Sequence, residues 1–295
     1  MFKDSLSKWE LKLLNGGSFH FPLSTRQILL LFLAFSFVAT SADVALAHSQ
    51  NRFIPVYEWI PVIYPLLAAG VIVSYLFWPG DRVVRYIYMF VMIVGIPIGL
   101  LGLFFHVIGN SVNSGYLWNW FIFGAPVLAP LAITGMCLFG LAIMESNPRV
   151  WLRLVALGFL VLALTAFLDH AQMHFESLYT WVPVIAGIFG FLVTWQVGGK
   201  VTEDSGDMIQ DLQLANFFYA VMVVMIFVGA AGAYFHVITD LHATVQMPWR
   251  RFIYHAPVLA PMLFAQLGML GCLCAIKEEN ETVSHFKPNG AVASE

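Results

Sequence analysis

Phe252-Ile253-Tyr254-His255-Ala256-Pro257-Val258-Leu259-Ala260-Pro261 repeats, almost letter for letter, a stretch from the first half of the chain, Phe121-Ile122-Phe123-Gly124-Ala125-Pro126-Val127-Leu128-Ala129-Pro130. Working outward from this pair, further matches appear in the same order. Trp59-Ile60-Pro61-Val62-Ile63 matches Trp181-Val182-Pro183-Val184-Ile185, at the offset that also aligns His48-Ser49-Gln50-Asn51-Arg52-Phe53 with His170-Ala171-Gln172-Met173-His174-Phe175. Phe105-His106-Val107-Ile108 matches Phe235-His236-Val237-Ile238, and Ala142-Ile143-Met144-Glu145-Ser146-Asn147 is echoed by Ala275-Ile276-Lys277-Glu278-Glu279-Asn280. Matched blocks in a conserved order imply a tandem duplication.

Composition says what kind of unit was duplicated. The 295 residues are 60% hydrophobic and 11% charged, with a mean hydropathy of +0.80. Several apolar runs reach the length that a helix needs to cross the hydrocarbon core. Spans are expected near 27–47, 58–78, 86–107, 119–144, 151–170, 179–197, 213–237 and 251–275. The expected fold is therefore all-α: a polytopic membrane protein of eight transmembrane helices, built as two four-helix repeats. The boundaries are an N-terminal segment at 1–26, a first repeat at 27–147, a second at 148–276 and a polar tail at 277–295. Four helices per unit is an even number, so both units share one orientation. Their pseudo-twofold axis is expected to run along the membrane normal.

Basic residues set the sidedness. All but Arg52, Arg250 and Arg251 of the 14 lysines and arginines fall on the side of the termini. The positive-inside rule then places both termini in the cytoplasm of an inner-membrane protein. Ala45-Leu46-Ala47 looks like a signal-peptide cleavage site, but the segment before it has a counterpart in the second half. Cys137, Cys272 and Cys274 fall inside expected helices and are read as packing residues. Pro61, Pro126, Pro130, Pro183, Pro257 and Pro261 are expected to kink helices in both units. Phosphate-binding loops, CxxCH haem attachment and a GxSxG elbow are absent, and nothing suggests a nucleic-acid partner.

The chemistry is concentrated at one face. Of the nine histidines only His20 and His285 fall on the cytoplasmic side; His48, His106, His170, His174, His236, His242 and His255 all fall at the outer ends of helices or in outer loops. Ionisable groups beside apolar helices are costly to place and mark functional sites. His170 and His174 are four apart, as are His236 and Asp240, so each pair shares a face if its helix continues. Imidazoles with carboxylates make a mixed metal shell, with Asp169 and Asp240 as ligands or as their orienters. Met173 and Met247 lie close in sequence, which favours copper, then iron or zinc.

The first repeat differs where it matters. His174 corresponds to Arg52, Asp240 to Asn110 and His255 to Gly124, while His48 and His106 persist. The expectation is a metal site in the second half and a decayed copy in the first. The alternative is a bis-histidine haem b (or pigment) protein, with His48 and His106, and likewise His170 and His236, clamping a haem. Either suits a redox metalloenzyme or an electron-transfer subunit. Such a protein would meet the bilayer, a quinone or other lipophilic substrate, and further membrane subunits or copies of itself. A metal-ion transporter ranks below these, because helices two, three, six and seven offer almost no polar groups at mid-depth. A further alternative is a non-catalytic scaffold of a respiratory or photosynthetic complex, with the histidines as pigment or haem ligands.

Overall fold

The computed structural model describes residues 9–12, 18–21, 23–49, 52–113, 116–122, 125–145, 147–171, 178–201, 212–242 and 259–275. Strands β1 (Trp9–Lys12) and β2 (Ser18–Phe21) form an antiparallel hairpin, with Trp9 opposite Phe21. All else regular is helical. The helices are α1 (Thr25–Ser49), α2 (Ile60–Phe77), α3 (Arg82–Asn113), α4 (Leu117–Ile122), α5 (Leu131–Glu145), α6 (Pro148–Ala171), α7 (Leu178–Lys200), α8 (Leu212–His242) and α9 (Met262–Cys274). Among the described residues six helices, α1, α2, α3, α6, α7 and α8, are long and apolar enough to cross a membrane. They support a multi-pass membrane protein. Their large outward side chains, among them Phe35, Phe90 and Phe227, are exposed in the way that contact with lipid requires.

The remaining two expected spans come out shorter. The stretch expected as one helix over 119–144 is divided into α4 and α5, and α9 begins only at Met262. Proline explains the break. Pro126 and Pro130 carry no N–H and their rings oppose a continuing α-turn. The chain instead makes a run of tight turns, with Leu131, Ala132 and Ile133 N–H donating to the carbonyls of Leu128, Ala129 and Pro130. Met262, Leu263 and Phe264 donate in the same way to Leu259, Ala260 and Pro261. These prolines interrupt helices rather than kink them. Pro61 likewise opens α2 in its first turn, where a missing N–H costs nothing. Of the six prolines expected to kink helices, Pro183 lies inside α7 and Pro257 falls outside the described residues. Pro65 and Pro97 are also accommodated within α2 and α3.

Each half closes a ring of four packed helices, α1-α2-α3-α5 and α6-α7-α8-α9, with the last packing back on the first. The halves meet through reciprocal pairs, α1 against α9 and α6 against α5. The buried residues correspond as well. Leu30 and Leu152, Phe37 and Phe159, Tyr88 and Phe218, and Met92 and Met222 are all at most 2% exposed. Gly99 on α3 and Gly229 on α8 let the proline turns approach. A Cβ on Gly99 would lie 2.8 Å from the Pro130 carbonyl oxygen, and one on Gly229 would lie 2.9 Å from that of Pro261. All three cysteines are free, and Cys137 and Cys274 are buried among apolar neighbours.

One end of the bundle is tied by long side chains reaching across helix termini. Arg26 at the start of α1 reaches the Met144 carbonyl near the end of α5 (3.4 Å), and Arg149 at the start of α6 donates to Val201 just past α7 (2.7 Å). Tyr219 near the start of α8 donates to Ala275 after α9 (2.9 Å). His48, His106, His170 and His236 lie at the opposite end.

Candidate histidine site

His48 and His170 occupy the last turns of α1 and α6, helices that end where the apolar pattern of the sequence ends. The 3-10 turn Val56–Trp59 then leads into α2, and Leu178 opens α7. Both histidines use that following segment in the same way. His48 Nδ1 lies 3.2 Å from the Glu58 carbonyl oxygen, and His170 Nδ1 lies 2.9 Å from that of Thr180. A carbonyl only accepts, so each Nδ1 carries the proton and each Nε2 keeps its lone pair. Glu58 and Thr180 are themselves equivalent, one residue before the matched tryptophans.

His106 and His236 come from α3 and α8. These helices have 32 and 31 residues, which at a rise of about 1.5 Å overruns a hydrocarbon core of about 30 Å by several turns. The surplus carries both histidines to the level where α1 and α6 end. His48 and His106 face one another with ring centroids 6.4 Å apart and planes tilted by 53°. His106 Nδ1 is in turn 2.9 Å from the Pro126 carbonyl oxygen, so this imidazole too is held with Nε2 left over. His170 and His236 are close enough to act on each other electrostatically. The structure thus brings His48 and His106 together between α1 and α3, and sets His170 and His236 at the corresponding positions of α6 and α8, within electrostatic reach of each other. Four helix C-termini, of α1, α3, α6 and α8, lie at this end, and their partial negative charge favours a cation.

The other sequence-derived candidates divide as follows. Asp169 is half-buried beside His170 at the end of α6. Asp240 and His242 fall in the last turn of α8. His174 and His255 lie outside the described residues, as do Met173 and Met247, and α6 is described only to Ala171, so the shared helix face assumed for His170 and His174 is not established. Among the described residues no three His, Cys, Asp or Glu side chains converge as a metal-ligand set. The pair is the unit that the described structure offers.

Two residues gain roles that the sequence reading did not give them. Glu58, buried at 9% exposure, lies within electrostatic reach of His106. A carboxylate at the start of an apolar span was a signal available in the sequence. Asn110, read as a degenerate ligand position, is a buried brace. Its Nδ2 donates to the carbonyls of Trp120 (2.7 Å) and Ala125 (2.9 Å), and its Oδ1 accepts from Ala125 N–H (2.8 Å). Arg52 is exposed, and it and Phe53 have left-handed backbone, with φ of 56° and 51°.

No protein-family model, no curated protein and no solved structure matches the chain. The site must be argued from its own geometry.

Proposed function

We propose that the chain is a duplicated, eight-span membrane protein that binds a redox-active transition metal through histidine pairs at its outer face. It serves as a metalloenzyme or as an electron-transfer subunit of a membrane complex. The single observation that carries this reading is the recurrence of an Nδ1-anchored imidazole paired with a second imidazole, at equivalent places in both halves. Hydrogen bonding of Nδ1 to a carbonyl is the arrangement that fixes tautomer and orientation in metal-binding histidines. In the second half Asp169, Asp240, His174, His242 and His255 stand close in sequence to complete a mixed shell around His170 and His236, with copper ranked before iron and zinc.

The duplication is supported by the matched turns, glycines and buried residues, and by the reciprocal contact of the halves. With four spans in each unit the axis relating them follows the membrane normal. The short helices α5 and α9, each extended by its proline turn, serve as the fourth spans. Both termini are then cytoplasmic and the histidines external.

A second reading, haem b at each pair, is favoured by the pairs themselves. Haem brings four ligands of its own and asks the protein for only two, as some cytochromes show.

Elemental analysis and an absorption spectrum of the purified protein test both readings. His170→Ala and His236→Ala should each lower the metal content by emptying the second-half site, while leaving the helical thermal transition in place. Occupancy should fall as the pH drops below about 6.5, since ligating imidazoles must be deprotonated. Purified protein without iron or copper, zinc alone included, would overturn the proposal, because zinc has no redox chemistry.

A further inference from the structure

We propose that the first half of the chain holds a working metal centre of its own: a bis-imidazole site at His48 and His106, with the Glu58 carboxylate beside it. This rests on the reading that histidine pairs at this end bind metal, and it replaces the expectation of a decayed copy. That expectation drew on Arg52, Asn110 and Gly124 standing where the second half has His174, Asp240 and His255. Two of those three have other roles. Asn110 braces the connection after α3, and Arg52 is exposed, so water and salt screen its charge. Neither disables the pair.

What a two-imidazole centre needs is intact. Both Nδ1 atoms are committed to main-chain carbonyls, which leaves both Nε2 lone pairs for a ligand. The spacing selects the ligand class. An imidazole centroid sits about 3 Å from a metal bound at its Nε2, so two imidazoles on opposite sides of one metal place their centroids roughly 6 Å apart. The observed 6.4 Å fits that arrangement, and a tetrahedral ion would draw the rings closer. Two opposed imidazoles are the axial set of a haem iron or the complete shell of a cuprous ion. The shared chemistry is a metal that takes two trans imidazoles.

The surroundings are built around His48. Phe53 holds a φ of 51°, which is rare for a bulky side chain and characteristic of functional sites. Its ring stacks on Trp59 at 4.2 Å and meets the His48 ring edge-on at 6.4 Å. Glu58 is where this half has gained something. A carboxylate stands there, buried and within electrostatic reach of His106, where the second half has Thr180. Buried charge beside an apolar helix is tolerated when it compensates an opposite charge. The first centre therefore has a carboxylate at this position, whereas the second carries its acidic neighbour on α6, at Asp169, so the two differ in potential.

The test uses the full-length protein in detergent, depleted of metal and titrated separately with ferric haem b and with cuprous ion. Wild type should take up two equivalents of one of them. A Soret band identifies haem, and copper uptake without one identifies the ion. His48→Ala and His106→Ala should each halve the uptake, as should His170→Ala and His236→Ala. Glu58→Thr, which copies the second half, should keep both centres and move one midpoint potential upward, because the carboxylate favours the oxidised form. This variant also reads out the proposal should His48→Ala fail to fold. A wild-type uptake of only one equivalent that His48→Ala and His106→Ala leave unchanged, or two potentials both unmoved by Glu58→Thr, would overturn the proposal and leave the second-half site standing. A wild-type chain that takes up neither probe would sink both.

Discussion

At the scale of single residues, Asn110 separates structure from chemistry most clearly. Its amide both donates and accepts, and all three of its described bonds go to the backbone of α4 and of the turn that follows it, at Trp120 and Ala125. An ionised carboxylate can only accept. Asn110→Asp therefore loses both donated bonds, at a cost of about 1–3 kcal/mol for each carbonyl left unsatisfied. Its thermal midpoint in detergent should fall at neutral pH and recover in part in acid, where the protonated carboxyl donates again. Equal destabilisation at both pH values would show that the amide does not act through donation. Read in sequence, Asn110 looked like Asp240 with its charge removed. Only the bonds show that the position has a task of its own, and no pattern in the sequence states to which carbonyl an amide will point.

At the scale of elements, the proline turns and the glycines facing them form one device, used twice. A Cβ on Gly99 would crowd the Pro130 carbonyl and, at 2.9 Å, the Thr134 backbone nitrogen; one on Gly229 would lie 2.5 Å from the Ala265 nitrogen. Backbone atoms on a neighbouring helix cannot step aside as a flexible side chain can. Gly99→Ala and Gly229→Ala should each destabilise by about 1–3 kcal/mol through overpacking. Gly135→Ala in α5, where a Cβ meets nothing within 4 Å, should be neutral or stabilising by about 0.5–1 kcal/mol. Melting curves of the three variants side by side check this, and a Gly99→Ala midpoint no lower than that of Gly135→Ala would refute it. The existence and type of the long helices were legible because their apolar runs are uninterrupted. The division of 119–144 into α4 and α5 was not, because Pro126 and Pro130 permit either a kink or a break, and the choice depends on whether α3 leaves room for the turn.

At the scale of the molecule, the bundle has two distinct ends. Arg26, Arg149 and Tyr219 tie one end through side-chain bonds to main-chain carbonyls, and the histidine pairs occupy the other. Exposed Glu145 belongs to the first and Leu178, 90% exposed, to the second. With the termini cytoplasmic, a membrane-impermeant thiol reagent should label Leu178→Cys in intact cells or spheroplasts. It should reach Glu145→Cys only after permeabilisation, with the wild-type chain as background. The reverse pattern would invert the protein in the membrane and place the histidine site inside.

The sequence by itself determined that the chain is helical, with spans apolar enough for a membrane, that its two halves echo one another, and that seven of its nine histidines fall near one set of span ends. These are matters of hydropathy, order and parity, which one-dimensional patterns carry. Tertiary structure decided the rest. The length of α3 beyond the membrane core brings His106 level with the end of α1. The carbonyls of Glu58 and Pro126 fix which nitrogen of each imidazole is hydrogen-bonded, and folding buries Glu58 within electrostatic reach of His106. Each of these depends on distances between segments far apart in the chain, set by how the helices pack, and a residue's spacing along one helix does not contain them.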